Sequence, residues 1–229
     1  MKNVVFLPCR KGSERVPNKN TRDFANVKGG LLAIKLQQLL DAKFVDKIVL
    51  SSNDEQVLEI GNSFKNDKVF AVERPDSLGS SATSTDDLIN YVPELIDKGT
   101  VIWTHVTSPF ITGKMYDKMI SKYYENLKDF DSLMSVTALR KFIWDKNEPV
   151  NYDRNIEKWP RTQTLTPLYE VNSGVFIADI SIYQQKKDRI GKKTFLYELS
   201  EKEAFDIDWQ DDFEMAEIFY QKFVEKCLD

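Results

Sequence analysis

The stretch LPCRKGSERVPNKN, Leu7 to Asn20, follows a short apolar run and gathers Arg10, Lys11, Arg15 and Lys19 around Gly12, Ser13 and Pro17. In a chain of net charge -4 such a loop is a local anion site or a solvated basic segment. Gly12 permits close backbone approach, Ser13 adds a hydroxyl and an amide donor, and Arg10, Arg15 and Lys19 supply fixed positive charge. Together these suit a polyphosphate. The spacing matches neither the Gly-x-x-x-x-Gly-Lys-Ser/Thr phosphate loop nor the Gly-x-Gly-x-x-Gly dinucleotide fingerprint.

Near the other end, FDIDWQDD sets Asp206 and Asp208 one residue apart. If the segment is extended, both carboxylates project from one side, the geometry of a shared oxygen-ligated cation. The alternative is a set of surface carboxylates at a helix start, with Asp211 as an N-cap. Mg²⁺ commonly takes one or two carboxylates together with substrate phosphates, so the basic loop and the Asp pair complement one another.

Positioning both requires a layered fold. NVVFLP, KIVLSS, KVFAVE, TVIWTHV and DSLMSV read as short buried strands. They alternate with helical patterns at LLAIKLQQLLDA, DEQVLEIGNSF, STDDLINYVPELI and ITGKMYDKMISKYYENL. That alternation predicts βαβ units: a Rossmann-like, three-layer α/β/α sandwich on a mostly parallel sheet. In such sheets ligands bind beyond the carboxyl ends of the strands, where the loop after the first strand lies. Leu32, Leu36 and Leu39 form one apolar helical stripe, and Phe213, Ala216, Tyr220, Phe223 and Cys227 another. Periodicity fades from Ala138 to Val171, a stretch with Trp144, Trp159 and three prolines, before NSGVFIA restores a strand. We read residues 1–229 as one domain carrying an insertion over 138–171.

Composition excludes several classes. The net negative charge argues against a nucleic-acid binder that works by broad phosphate neutralisation. No apolar run approaches a membrane span, and VVFLP ends at once in charge, so a cytoplasmic protein is expected. Cys9 and Cys227 are too few for a disulfide framework.

Five motifs in order, LPCRKGSERVPNKN, IVLSSND, ERPDSLGSSATST, HVTSPFITG, and NSGVFIADI followed by FDIDWQDD, span nearly the whole chain. In this combination the chain resembles the bacterial CMP-sugar synthetases, the acylneuraminate-type cytidylyltransferases. The resemblance implies transfer of a cytidylyl group from CTP to the anomeric hydroxyl of a nonulosonic acid of sialic, legionaminic or pseudaminic type, with release of pyrophosphate.

It also implies roles. Arg10 and Lys19 would contact the CTP phosphates and stabilise charge at the α-phosphate, with Gly12 and Ser13 cradling the triphosphate. Asn20 would reach ribose or base, and Arg74 with SATST, above all Ser84 and Thr85, would read cytosine. Asp206 and Asp208 would hold Mg²⁺, with Asp208 counted beside Arg10 and Lys19 as catalytic. Thr107, Ser108, Asn172, Ser173 and Gly174 would face the sugar, as would His105, which stands where sialic-acid members commonly have Gln. The insertion corresponds to an arm for homodimerisation, with Phe142, Ile143, Trp144, Trp159 and Tyr169 as its apolar residues. An Arg expected just before the Asn172 turn is missing, which leaves Arg140 or Arg161 as substitutes for binding the sugar carboxylate. Cytidylyl transfer to an octulosonic acid is the nearest alternative. A glycosyltransferase using Asp-x-Asp is another, but it predicts that motif after a mid-chain strand and no basic first loop. A nucleotide-binding module without turnover would be expected to lack Lys19 or the Asp pair.

Overall fold

The computed structural model describes residues 2–13, 15–80 and 82–228, the side chains of 223–228 excepted. Seven strands form one sheet: β1 (Asn3–Pro8), β2 (Lys47–Ser52), β3 (Val69–Glu73), β4 (Thr100–Thr104), β5 (Ser132–Leu139), β6 (Leu168–Asp179) and β7 (Thr194–Glu198). Their order is β3-β2-β1-β4-β6-β5-β7, with β6 antiparallel to both of its neighbours and the remaining pairs parallel. The six α-helices are α1 (Gly30–Asp41), α2 (Glu55–Ser63), α3 (Thr85–Leu95), α4 (Gly113–Glu125), α5 (Ile180–Lys186) and α6 (Gln210–Leu228).

The strands are apolar on both faces because helices cover both. Val5 and Leu7 of β1 pack into one core with α1, α2, α4 and α6, while Val4 and Phe6 enter a second core with α3 and α5. This confirms the three-layer expectation. Phe213 and Ala216 of the final helical stripe are buried and Tyr220 packs against them, whereas Phe223 and Cys227 lie outside the described residues. The antiparallel direction and early start of β6, together with α5 and β7, went unread in the sequence. β6 begins at Leu168, before the NSGVFIA run, because its first half pairs with the outer half of β5 from Leu139 to Val136. The irregular excursion is therefore shorter than 138–171, since residues 138–139 and 168–171 extend β5 and β6. Among the described residues no helix is long and apolar enough to cross a membrane.

Helix α1 is buried over most of its circumference, and Lys35 sits at 0% exposure within it. Its Nζ donates to the Ser108 carbonyl and to the Tyr116 hydroxyl, both at 2.8 Å. Thr104 Oγ1 lies 2.8 Å from the same hydroxyl and donates to the Gly174 carbonyl at 2.8 Å. The proton order is thus fixed along a buried chain that ties α1, α4, β4 and β6 together. Burial pushes the Lys35 ammonium down to about 7, with a smaller opposing pull from Asp206.

Between that value and the unfolded lysine value of about 10.4, the unfolded chain holds more protons, so stability rises with pH across the window. Urea denaturation of wild type and Lys35→Met should show the wild type gaining about 2 kcal/mol on the variant between pH 7 and 9. A difference independent of pH would contradict the buried-ammonium assignment.

Candidate active site

The carboxyl ends of β1, β3 and β4 open onto a cleft of about 370 Å³ whose wall includes Pro8, Arg74 and His105. The loop after β1 forms its floor. Cys9 N–H continues the sheet by donating to the Ser51 carbonyl at 2.9 Å, and Lys11 N–H donates to Asn53 Oδ1 at 2.9 Å. Gly12, at φ +70°, takes the backbone through a region that L side chains rarely adopt, which brings Arg10, Ser13, Arg15 and Lys19 to one cavity. Arg10 has no ion-pair partner among the described residues and is exposed. The Asn20 carbonyl accepts from Leu32 N–H at 2.9 Å, anchoring the loop to α1. Asn20 Oδ1 is buried without a hydrogen-bond partner among the described residues, an acceptor left for a ligand donor.

Arg74 lines this cleft at 3% exposure. Its guanidinium is committed to protein: Nη2 donates to the Ser51 carbonyl at 2.5 Å, Nε to Ser51 Oγ at 3.2 Å and Nη1 to the Leu78 carbonyl at 3.3 Å. It therefore acts first as scaffold for the cleft wall. Ser84 caps α3, its hydroxyl accepting from Asp87 N–H at 3.0 Å and donating to the Asp87 carboxylate at 2.8 Å. The cavity wall is formed instead by its neighbours Thr83 and Thr85. Ser81 lies outside the described residues. Cys9 is buried and its thiol is pushed up to about 12 by that burial, which leaves it an inert packing group.

The two ends of the chain meet at Thr107. Its carbonyl accepts from Ile207 N–H at 3.0 Å, and its side chain hydrogen-bonds the Asp206 carboxyl. Lys19 Nζ donates to the Ile207 carbonyl at 2.5 Å and stands 3.9 Å from Asp208 Oδ1. Burial lowers the Lys19 pKa, with Asp208 and then Asp206 opposing the shift. Burial raises the Asp206 pKa, and the Thr107 hydrogen bond opposes it. Asp206 Oδ1 is buried with no hydrogen-bond partner among the described residues. Asp208 is half exposed and pairs with Arg15 at 2.8 Å, whose guanidinium also lies 4.9 Å over the Trp209 ring. The α6 start is capped by Asp212, not Asp211: its Oδ2 accepts from Asp208 N–H at 3.1 Å and Trp209 N–H at 2.8 Å. Arg22, stacked 3.7 Å over Phe213, and Glu217, accepting from Ala25 N–H at 2.9 Å, lock α6 onto the first loop.

On the far side of the Asp pair lies a second polar cleft of about 500 Å³, lined by Thr137, Lys141, Glu170, Asn172, Ser173, Asp206 and Asp208 among others. Asn172 braces the irregularity between β5 and β6. Its Oδ1 accepts from Ser135 Oγ at 2.7 Å and Gly174 N–H at 3.2 Å, and its Nδ2 donates to Thr137 Oγ1 at 3.1 Å. This bracing presents Ser173, at φ 55°, to the cleft. Gly174 and Ser108 are buried behind the walls. A Cβ on Gly174 would meet Ile111 Cδ1 at 2.7 Å, so that glycine serves packing.

His105 and Thr107, both expected to face the sugar, line the first cleft. Arg140 faces a neighbouring recess and lies 3.6 Å from Glu198, Arg161 is exposed, and the cation lining the second cleft is Lys141, 2.9 Å from Glu201. Lys141, Thr137 and the Arg15–Asp208 pair went unassigned from sequence, because each depends on which loops the sheet brings together. Lys35 did leave a signal: a lysine within the apolar run LLAIKLQQLL, one turn from Leu31 and Leu39.

An open α/β sheet with a basic loop over the carboxyl ends of β1 and β4 is a nucleotide-binding architecture. A family model described as Cytidylyltransferase matches residues 4–225, and the chain belongs to that family of nucleotidyl-transferring enzymes. It is 28% identical, over 96% of its length and 97% of the relative's, to a pseudaminic acid cytidylyltransferase of Campylobacter jejuni. It is also 25% identical to the N-acylneuraminate cytidylyltransferase of Streptococcus agalactiae, over 93% of this chain and 52% of that one. Its fold matches a CMP:2-keto-3-deoxy-manno-octonic acid synthetase complexed with CTP, at a TM-score of 0.68 and 14% identity over 97% of this chain and 99% of that one.

Proposed function

We propose that this cytidylyltransferase couples CTP to the anomeric hydroxyl of a nonulosonic acid, giving a CMP-sugar and pyrophosphate. The observation that carries the reading is the Asp206–Asp208 segment, which lines the second polar cleft and is joined through Ile207 to Thr107 and Lys19 of the basic cleft. CTP occupies the first cleft, its triphosphate over Gly12 and Ser13 and its charge met by Arg10, Arg15 and Lys19. Asn20 Oδ1 accepts from a ribose hydroxyl or the cytosine amine, and Thr83 and Thr85 border the base. The sugar acid enters the second cleft beside Ser173, Thr137 and Lys141. The names of the relatives, pseudaminic acid and N-acylneuraminate cytidylyltransferase, support a nonulosonic acceptor.

The residues also fit Mg²⁺. The orphaned, buried Oδ1 of Asp206 and the half-exposed carboxylate of Asp208 are hard oxygen donors one residue apart. Mg²⁺ usually takes one or two carboxylates and completes its shell from water and substrate phosphate. When bound, such an ion supplies Lewis-acid polarisation and lowers the pKa of a ligated hydroxyl. The protein's own contribution is positional and electrostatic. Lys19, fixed by the Ile207 carbonyl, places its ammonium beside the phosphates as negative charge builds on the leaving pyrophosphate. Arg10, without an ion-pair partner among the described residues, closes onto the same charge. No side chain is assigned as general base.

The arm supports self-association as a homodimer. Trp159 is 64% and Ile156 86% exposed, and Phe142, Trp144 and Val150 add apolar surface beside them. Phe142 packs edge-on to Tyr152 and Trp159, so the patch is built within the subunit before any partner arrives.

Pyrophosphate release should require CTP, Mg²⁺ and a nonulosonic acid; UTP and ATP should fail to replace CTP. Turnover with an octulosonic acid alone would instead establish that acceptor. Lys19→Ala should lower kcat by roughly 10²–10³ while CTP affinity changes far less, the behaviour of a charge acting in the transition state. Equal losses in both would remove that role. Sedimentation velocity should report a dimer for wild type and a folded monomer for the Trp144→Ser, Trp159→Ser variant; a variant that stays dimeric would place the contact elsewhere.

A further inference from the structure

Helix α1 carries two polar side chains on its buried face, Lys35 and Gln38, and both hold the loop that follows β4. Lys35 Nζ donates to the Ser108 carbonyl at 2.8 Å, and Gln38, one turn further on, donates its Nε2 to the Pro109 carbonyl at 2.6 Å. An apolar residue would pack at position 35 without the cost of desolvating an ammonium, so packing alone does not account for a lysine there. What the lysine adds is a fixed donor to two branches.

The first branch is short. Ser108 adjoins Thr107, whose carbonyl accepts from Ile207 N–H at 3.0 Å and whose side chain hydrogen-bonds the Asp206 carboxyl. Lys35 thus stands directly behind the clasp on Asp206, whose charge opposes the effect of burial on the lysine. The second branch runs through α4 and β4. The Tyr116 hydroxyl accepts from Lys35 at 2.8 Å, and because Thr104 spends its proton on the Gly174 carbonyl, that hydroxyl donates to Thr104 Oγ1. Gly174 closes the turn that presents Ser173 to the second cleft. One side chain therefore sets the Thr107 loop, which borders the first cleft, against the Ser173 turn, which borders the second.

We propose that Lys35 is a positioning residue for the cytidylyl transfer: it touches neither substrate, and through Ser108 on one branch and Tyr116, Thr104 and Gly174 on the other it holds the Asp206 clasp and the Ser173 turn in the register that transfer between the clefts requires. The proposal rests on the reading of the two clefts given above and adds a residue to it. The basic first loop is anchored separately, by the Asn20 carbonyl on Leu32 N–H. Loss of Lys35 therefore leaves CTP binding in place and misplaces the reacting groups.

Lys35→Met removes the donor to both branches. Tyr116→Phe, Thr104→Val and their combination are close in shape and break the second branch alone, so they carry the test even where Lys35→Met does not fold. Circular dichroism reports folding, calorimetry the CTP affinity, and steady-state kinetics kcat and KM. Lys35→Met should lower kcat about tenfold or more while CTP affinity stays within about threefold of wild type. Tyr116→Phe and Thr104→Val should each lower kcat about three- to fivefold, and the double variant no further than either alone, because one chain is broken once. Folded variants whose kcat stays within about twofold of wild type, whatever their melting temperature, would make Lys35 a core residue only and overturn the proposal. A CTP affinity that falls in step with kcat, or additive losses in the double variant, would overturn it as well. In those cases the wild type still binds CTP and the cytidylyltransferase reading stands; a wild type that binds no CTP would sink both.

Discussion

The arrangement depends on one costly placement: the carboxyl group of Asp206, buried where the first and last parts of the chain meet. A carboxylate in that position is tolerated only if opposite charge and hydrogen bonds surround it. The Thr107 side chain supplies one bond, and the Ile207 amide is drawn to the Thr107 carbonyl. The Lys19 ammonium reaches the Ile207 carbonyl and approaches Asp208. Each of these groups comes from a different loop at the same end of the sheet, so the sheet order is what allows the clasp to form. The remaining orphaned oxygen is the point at which we propose a metal and the two substrates converge.

A second constraint is positive charge held inside an acidic protein. Lys35 and Arg74 are buried, Arg74 in the cleft wall itself, and Arg189 lies stacked over Phe176 and Trp103. Arg10 and Arg15 stand in front of them at the surface. The buried cations spend their hydrogen bonds on carbonyls, as Lys35 does with Ser108 and Arg74 with Ser51 and Leu78. They therefore shape the loops and bias the local potential, while Arg15 pairs with Asp208 and Arg10 is the exposed cation we propose meets phosphate. This division lets a chain of net charge -4 hold a basic cleft: the charge is local and fixed by packing.

Much of this was legible in the sequence because it is encoded locally. The apolar runs of β1 and β4, the Gly12 turn and the Asp-x-Asp pair declare themselves within a few residues. What was not legible depends on register and on loop meetings. The antiparallel β6 has the same apolar composition as a parallel strand, so its direction became visible only through its pairing with β4 and β5. Ser84 and Thr85 are adjacent in sequence, yet one caps α3 and the other faces the cavity, a difference set by where the helix begins. Asn172, Ser173 and Gly174 were read together as facing the sugar, but the Asn172 amide is consumed bracing a strand irregularity and Gly174 is buried, which leaves Ser173 presented to the cleft. His105 was read toward the sugar because of its position in a motif; the Trp103 indole holds its Nε2, and the residue borders the first cleft beside Thr107.

In the proposed reaction the orphaned Asp206 oxygen receives a cation shared with the nucleotide. Mn²⁺, which accepts the same carboxylate and phosphate oxygens as Mg²⁺, makes this directly measurable by water-proton relaxation. Wild type should bind Mn²⁺ weakly alone and at least about tenfold more tightly with CTP, and Asp206→Asn should lose that gain while still binding metal-free CTP. If Asp206→Asn assembles the Mn²⁺–CTP complex as tightly as wild type, the carboxylate is a structural group and the account of the seam between the clefts is wrong.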